Sequence, residues 1–174
     1  FLIDPACSIA FEAEPAESDV MRRPPRARTQ PLIDANTLVL AILEGGLALA
    51  FTLGMYGAAV AAGKTEAQVR LLAFTAVVLA NVSLIFFARS AGRRVWQHIV
   101  ARNPALWWIV GGALLAYAVV LAVPAVRTLF RMAAMTVQDA VWLGGGVLLL
   151  WLALAALHGG HAVLAKRRAR DTRS

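Results

Sequence analysis

Few residues in this chain carry chemistry, and the first of them is Asp4. It stands with Pro5 in the middle of an apolar run, Phe1–Phe11. A carboxylate at membrane depth is costly and usually marks an ion or proton path. The proline removes a backbone donor and perturbs a helix at that point. Carbonyl oxygens freed by a broken helix are what hard cations take as ligands. Asp4 is therefore the candidate metal ligand, for a transported cation. The other reading is an exposed start of a soluble segment.

Glu44 and Asn81 are secondary polar candidates. Glu44 falls about two turns into a long apolar stretch, roughly 10 Å from its start. It can line an ion entry path, snorkel to the interface, or pair with a neighbouring helix. Asn81 and Ser83 lie mid-span, where interhelical hydrogen bonding is the usual role. His158 and His161 are three apart and share a helix face. As a metal site they lack the usual ligand count. Cys7 is the chain's one cysteine, so an intrachain disulfide is excluded. No base stands at a recognisable spacing from Cys7 or Ser8, which argues against a nucleophile there. No phosphate-binding glycine loop is present.

These residues must be held by elements, and composition says which. The chain has 174 residues, 60% hydrophobic and 16% charged. The apolar residues form long unbroken blocks rather than an amphipathic alternation, which places them in a bilayer. Barrel strands would alternate, so the spans are helices. The expected fold is an all-α membrane protein with four transmembrane helices, at about 35–62, 67–89, 105–123 and 138–165. A half-helix at 1–12 is too short to cross and is read as the end of a preceding span. Residues 13–34, with Pro24 and Pro25, form a loop. Residues 125–136 can present Leu129, Phe130, Met132 and Ala133 on one face and Arg127 and Arg131 on another. That pattern predicts a short interfacial helix. Glycines at 45, 46, 54, 57, 111, 112 and 144–146 suit close helix approach. Most of the tryptophans fall near span ends, as an aromatic belt does.

The net charge of +7 could suggest nucleic acid, but no groove-reading motif accompanies it. Its placement fits topology instead. Thirteen Lys and Arg residues fall in the 13–34 loop, the middle loop and the 166–174 tail, against four on the opposite side. The positive-inside rule puts the first set in the cytoplasm of a multi-pass cell-membrane protein.

The stretch Asp4–Arg26 also carries a resemblance. It contains Asp19-Val20-Met21-Arg22-Arg23-Pro24-Pro25-Arg26 after the Asp-Pro run. This closely resembles the end of the sixth transmembrane helix and the following loop of cation-transporting P-type ATPases, the bacterial calcium-pump-like branch being most similar. The resemblance implies that Asp4 is a cation ligand and that the four spans are helices seven to ten. Animal calcium pumps have Gly after this Asp, whereas Pro5 follows here, which leaves the ion open. Calcium is the first expectation, with manganese, sodium or protons as others. The family's Asp-Lys-Thr-Gly-Thr phosphorylation motif is not in this sequence. The implied function is that of the C-terminal membrane domain of an ATP-driven cation pump. It would hold no cofactor itself, while ATP and Mg2+ would bind the parent protein's remaining domains. On its own it is expected to be inactive. The alternatives are a free-standing four-helix membrane protein, or a proton-coupled secondary transporter using Asp4 or Glu44.

Overall fold

The computed structural model describes residues 35–88 and 104–171, with side chains placed over 35–87 and 107–161. Asp4, Cys7, the 13–34 loop and most of the middle loop lie outside the described residues. The chain is an all-α membrane protein. Among the described residues there are five helices: α1 (Ala35–Ala61), α2 (Glu66–Ala88), α3 (Pro104–Ala122), α4 (Pro124–Leu129) and α5 (Val137–Asp171).

Helices α1, α2 and α5 are long and apolar enough to cross a membrane. At 1.5 Å per residue, α1 and α2 reach about 40 and 35 Å. The 19 residues of α3 reach about 28 Å, close to a hydrocarbon thickness of about 30 Å. An α-helix satisfies its interior backbone groups within itself, as hydrocarbon requires.

Local chemistry sets where the helices begin and end. α1 stops at Gly63, whose φ of 67° only glycine adopts without penalty. The Gly63 amide donates to the Val60 carbonyl and the Lys64 amide to the Ala59 carbonyl, at 3.0 and 3.1 Å. These are the two bonds of a Schellman cap. Two residues later α2 begins with a capping box. The Gln68 amide donates to Thr65 Oγ1, and the Thr65 amide donates to Gln68 Oε1. The turn is therefore tight, and α1 and α2 run antiparallel side by side.

α4 begins with Pro124 at its first turn, where a missing amide costs nothing. The sequence pattern predicts an interfacial helix over 125–136, but α4 ends at Leu129. A second Schellman cap ends it, with Arg131 in the left-handed region at φ 52°. The Arg131 and Met132 amides donate to the Thr128 and Arg127 carbonyls at 2.9 and 3.0 Å. Residues 131–136 then run without helix to Thr136, the cap of α5. At its far end α5 continues to Asp171, past the predicted 165. Lys, Arg and Ala fill that extension up to a final Asp171, and none of them is a helix breaker such as Gly or Pro.

Helices α1, α2 and α5 pack together, with α2 the most enclosed. One core layer joins Met55 and Ala59 of α1, Leu72 and Ala76 of α2, and Leu143 of α5. A second layer, nearer the other end, joins Ala80 and Phe87 to Leu150 and Leu154. Ala59 and Ala76 are fully buried small residues that let backbones approach. Helix α3 lies against α2 through Val110 on Val82, Ile85 and Phe86. The outer faces of α1, α3 and α5 expose Leu38, Ile42, Leu53, Leu115 and Leu149. In water so much bare apolar surface would drive aggregation, whereas hydrocarbon solvates it.

Candidate functional site

The polar groups inside this bundle collect at two levels. They are separated by the 19 residues from Asp139 to His158 on α5, about 28 Å of helix rise. That is close to one hydrocarbon thickness.

At the first level, the α1–α2 turn presents Lys64. Its Nζ donates to Asp139 Oδ1 at 2.6 Å. The Asp139 side chain is fully buried and that of Lys64 is 10% exposed, so water barely reaches the pair. Asp139 Oδ2 accepts from the Thr136 amide at 3.0 Å and from Thr136 Oγ1 at 2.7 Å. The Asp139 amide donates back to Thr136 Oγ1. One carboxylate thus closes the capping box of α5 and neutralises the α1–α2 turn. The Trp142 ring sits one turn on, 5.0 Å below the ammonium, and adds a cation–π contact. The Ala133 amide donates to the Ala67 carbonyl at 3.2 Å, tying the 131–136 segment to the start of α2.

At the second level, Glu44 of α1 meets His158 of α5. Glu44 Oε1 lies 2.7 Å from His158 Nε2, with the side chains 13% and 14% exposed. The separation is that of an ion pair, yet the oxygen is off the line of a hydrogen bond from the ring. The Phe87 ring of α2 stands 5.7 Å from the imidazole, so three helices meet there. A carboxylate and an imidazole this close can share a proton, and each is a metal-ligand type. Among the described residues no three His, Cys, Asp or Glu side chains gather as a metal cage.

The sequence candidates fall as follows. Asp4 is outside the described residues. Glu44 pairs with a neighbouring helix. Asn81 Nδ2 donates to the Val77 carbonyl of its own helix at 3.0 Å, away from both levels. Ser83 accepts from Trp151 Nε1 at 2.8 Å, an interhelical bond. That contact also places Trp151 mid-span rather than in an interfacial belt. His161 is exposed, while His158 points to α1, so the two histidines do not converge. Sequence reading missed the Lys64–Asp139 pair. The T-x-x-D spacing of Thr136 and Asp139 was the available signal, because it marks a helix start.

Long apolar helices packed side by side, with two sparse, buried polar levels, define a helical membrane domain. The chain belongs to the family described as cation transporting ATPase, C-terminus, which residues 1–158 match. It is 25% identical over 135 residues to calcium-transporting ATPase 1 of Schizosaccharomyces pombe, a stretch covering 78% of this chain. It is 22% identical over 138 residues, 79% of the chain, to calcium-transporting ATPase 1 of Yarrowia lipolytica. The chain spans 15% of the length of either relative.

Proposed function

We propose that this chain is the C-terminal membrane part of a calcium pump of bacterial type, and that it supplies one ligand of the transported ion, Asp4. The observation that carries the reading is the family match beginning at residue 1, which takes in the Asp4-Pro5 pair. Two relatives bearing the name calcium-transporting ATPase support calcium as cargo. A carboxylate, with a proline next to it that cannot donate a backbone hydrogen bond, suits a hard cation that takes oxygen ligands. In this reading the α1, α2 and α5 bundle braces the transport helices of the remaining domains. ATP and Mg2+ bind those domains, where phosphorylation drives alternating access. The thirteen-to-four charge bias supports a cell-membrane topology. In this reading residues 13–34, the middle loop and the tail are cytoplasmic, and the Lys64–Asp139 level is at the outer face.

The test is Asp4→Asn in the full-length protein, with calcium-stimulated ATP hydrolysis and vesicle uptake as readouts. Loss of a direct ligand should weaken apparent calcium affinity by more than the roughly 10–100-fold that outer-shell changes cost. Unchanged stimulation and uptake would refute the ligand role.

A further inference from the structure

A groove of about 710 Å³ runs between α1 and α2 at the Lys64 level. Tyr56, Val60, Ala73, Phe74 and Val77 form its wall, and Arg70 stands at its mouth. From Glu66 to Val77 the groove follows about 16 Å of helix, close to half of a bilayer's roughly 30 Å core. Its length therefore matches the hydrocarbon of one leaflet, and its mouth lies at the α1–α2 turn, where the apolar runs end.

The charge at that mouth is not balanced. Lys64 is taken by Asp139, and Arg70 is ion-paired with Glu66. Beside Arg70, just outside the residues that line the groove, stands Arg131. Arg70 Nη1 donates to the Arg131 carbonyl at 3.4 Å, and the Phe130 ring lies 6.5 Å from that of Phe74. Arg131 is exposed, and no ion pair holds its guanidinium among the described residues. Its backbone is kept in the left-handed region, which is uncommon for a side chain of this size.

We propose that this groove binds an anionic phospholipid, with an acyl chain along Tyr56, Phe74 and Val77 and the phosphate against Arg131 and Arg70. A guanidinium is the side chain best shaped to take a phosphate. A helix from elsewhere in the protein would cover the apolar wall but leave Arg131 without an acceptor. A zwitterionic lipid would fill the groove without answering the surplus charge.

The test uses the full-length protein equilibrated with dioleoyl phosphatidylglycerol and dioleoyl phosphatidylcholine in equal amounts, with retained lipid counted by native mass spectrometry. One uncompensated cation near the headgroups is expected to favour the anionic phosphatidylglycerol about fivefold. Arg131→Gln should remove most of that preference. Ala73→Trp, which fills the groove and keeps the charge, should lower retention of both lipids. Three results would overturn the site. One is equal retention of the two lipids by the unaltered protein, or no retention at all, as when another helix covers the groove. Another is an undiminished preference in Arg131→Gln. The third is full retention in Ala73→Trp, which would place the lipid elsewhere. Matching thermal midpoints of the variants and the parent keep a folding defect out of the comparison.

Discussion

Asp139 serves two structures with its two oxygens, one bonded to Lys64 and the other to Thr136. Removing its charge strands an ammonium that is only 10% exposed. Breaking a buried pair from one side costs about 3–5 kcal/mol, since the remaining charge has no counterion. Asp139→Asn can keep the Thr136 contact and lose only the pairing, so it isolates that cost. The Trp142 face offsets about 0.5–2 kcal/mol of it at most. Replacing both partners, Lys64→Met with Asp139→Asn, removes the stranded charge and should recover much of the loss. The check is the unfolding midpoint of the purified protein in detergent. A double variant as unstable as the sum of the two singles would show that the pair contributes nothing. At this scale the sequence was only partly legible. Glu44 had three possible roles, because helical spacing tells which residues share a face and not which face meets another helix. His158 was grouped with His161 for the same reason, whereas its partner lies on α1.

The helices themselves were the most legible feature. A span is set by a continuous apolar run, which needs no tertiary information. The ends of α1 and α2 can also be read locally, from Gly63 and from the Thr65–Gln68 box. The end of α4 cannot, because Arg131 takes a position where glycine is usual and leaves no compositional mark. Glycines show the same limit. The sequence assigns all of them to close packing, yet α5 separates its triplet sharply. A Cβ on Gly144 or Gly145 meets nothing within 4 Å. On Gly146 it would come within 2.6 Å of Phe51 Cε2 and 3.2 Å of Met55 Sδ. Gly146→Ala must therefore turn a ring that packs in both core layers. Overpacking of this kind costs about 1–3 kcal/mol, partly offset by the helix preference of alanine. Gly145→Ala meets no such clash and should be neutral or slightly stabilising. Thermal unfolding of the two variants side by side decides the matter, and equal midpoints would mean that α1 and α5 do not touch at Gly146.

Across the whole molecule, the four spans are not equivalent. Helices α1, α2 and α5 share two core layers and both polar levels, while α3 adds only one face to α2. In hydrocarbon there is no hydrophobic force to hold a peripheral helix, so packing and hydrogen bonds must do it. For α3 the polar link is Tyr117 to Thr75. Thr75 has one hydroxyl proton, which goes to the Leu71 carbonyl at 2.6 Å. Tyr117 is consequently the donor of the bond between the two hydroxyls. Around it, the rings of Phe74 and Tyr117 stand 5.8 Å apart, and those of Phe86 and Trp107 6.0 Å apart. Tyr117→Phe keeps the ring and deletes the proton. Thr75 stays satisfied through Leu71, so no buried group is orphaned and the cost should be only about 0.6 kcal/mol, the usual value of an interhelical bond. A loss that small hardly moves a global midpoint, but it falls wholly on the weakest interface. Local opening follows the least stable unit first. Amide hydrogen exchange should accordingly rise in α3 of the Tyr117→Phe protein, by about threefold for 0.6 kcal/mol, and stay unchanged in α1, α2 and α5. Faster exchange spread evenly over all four spans would instead mean that α3 opens only with the whole bundle.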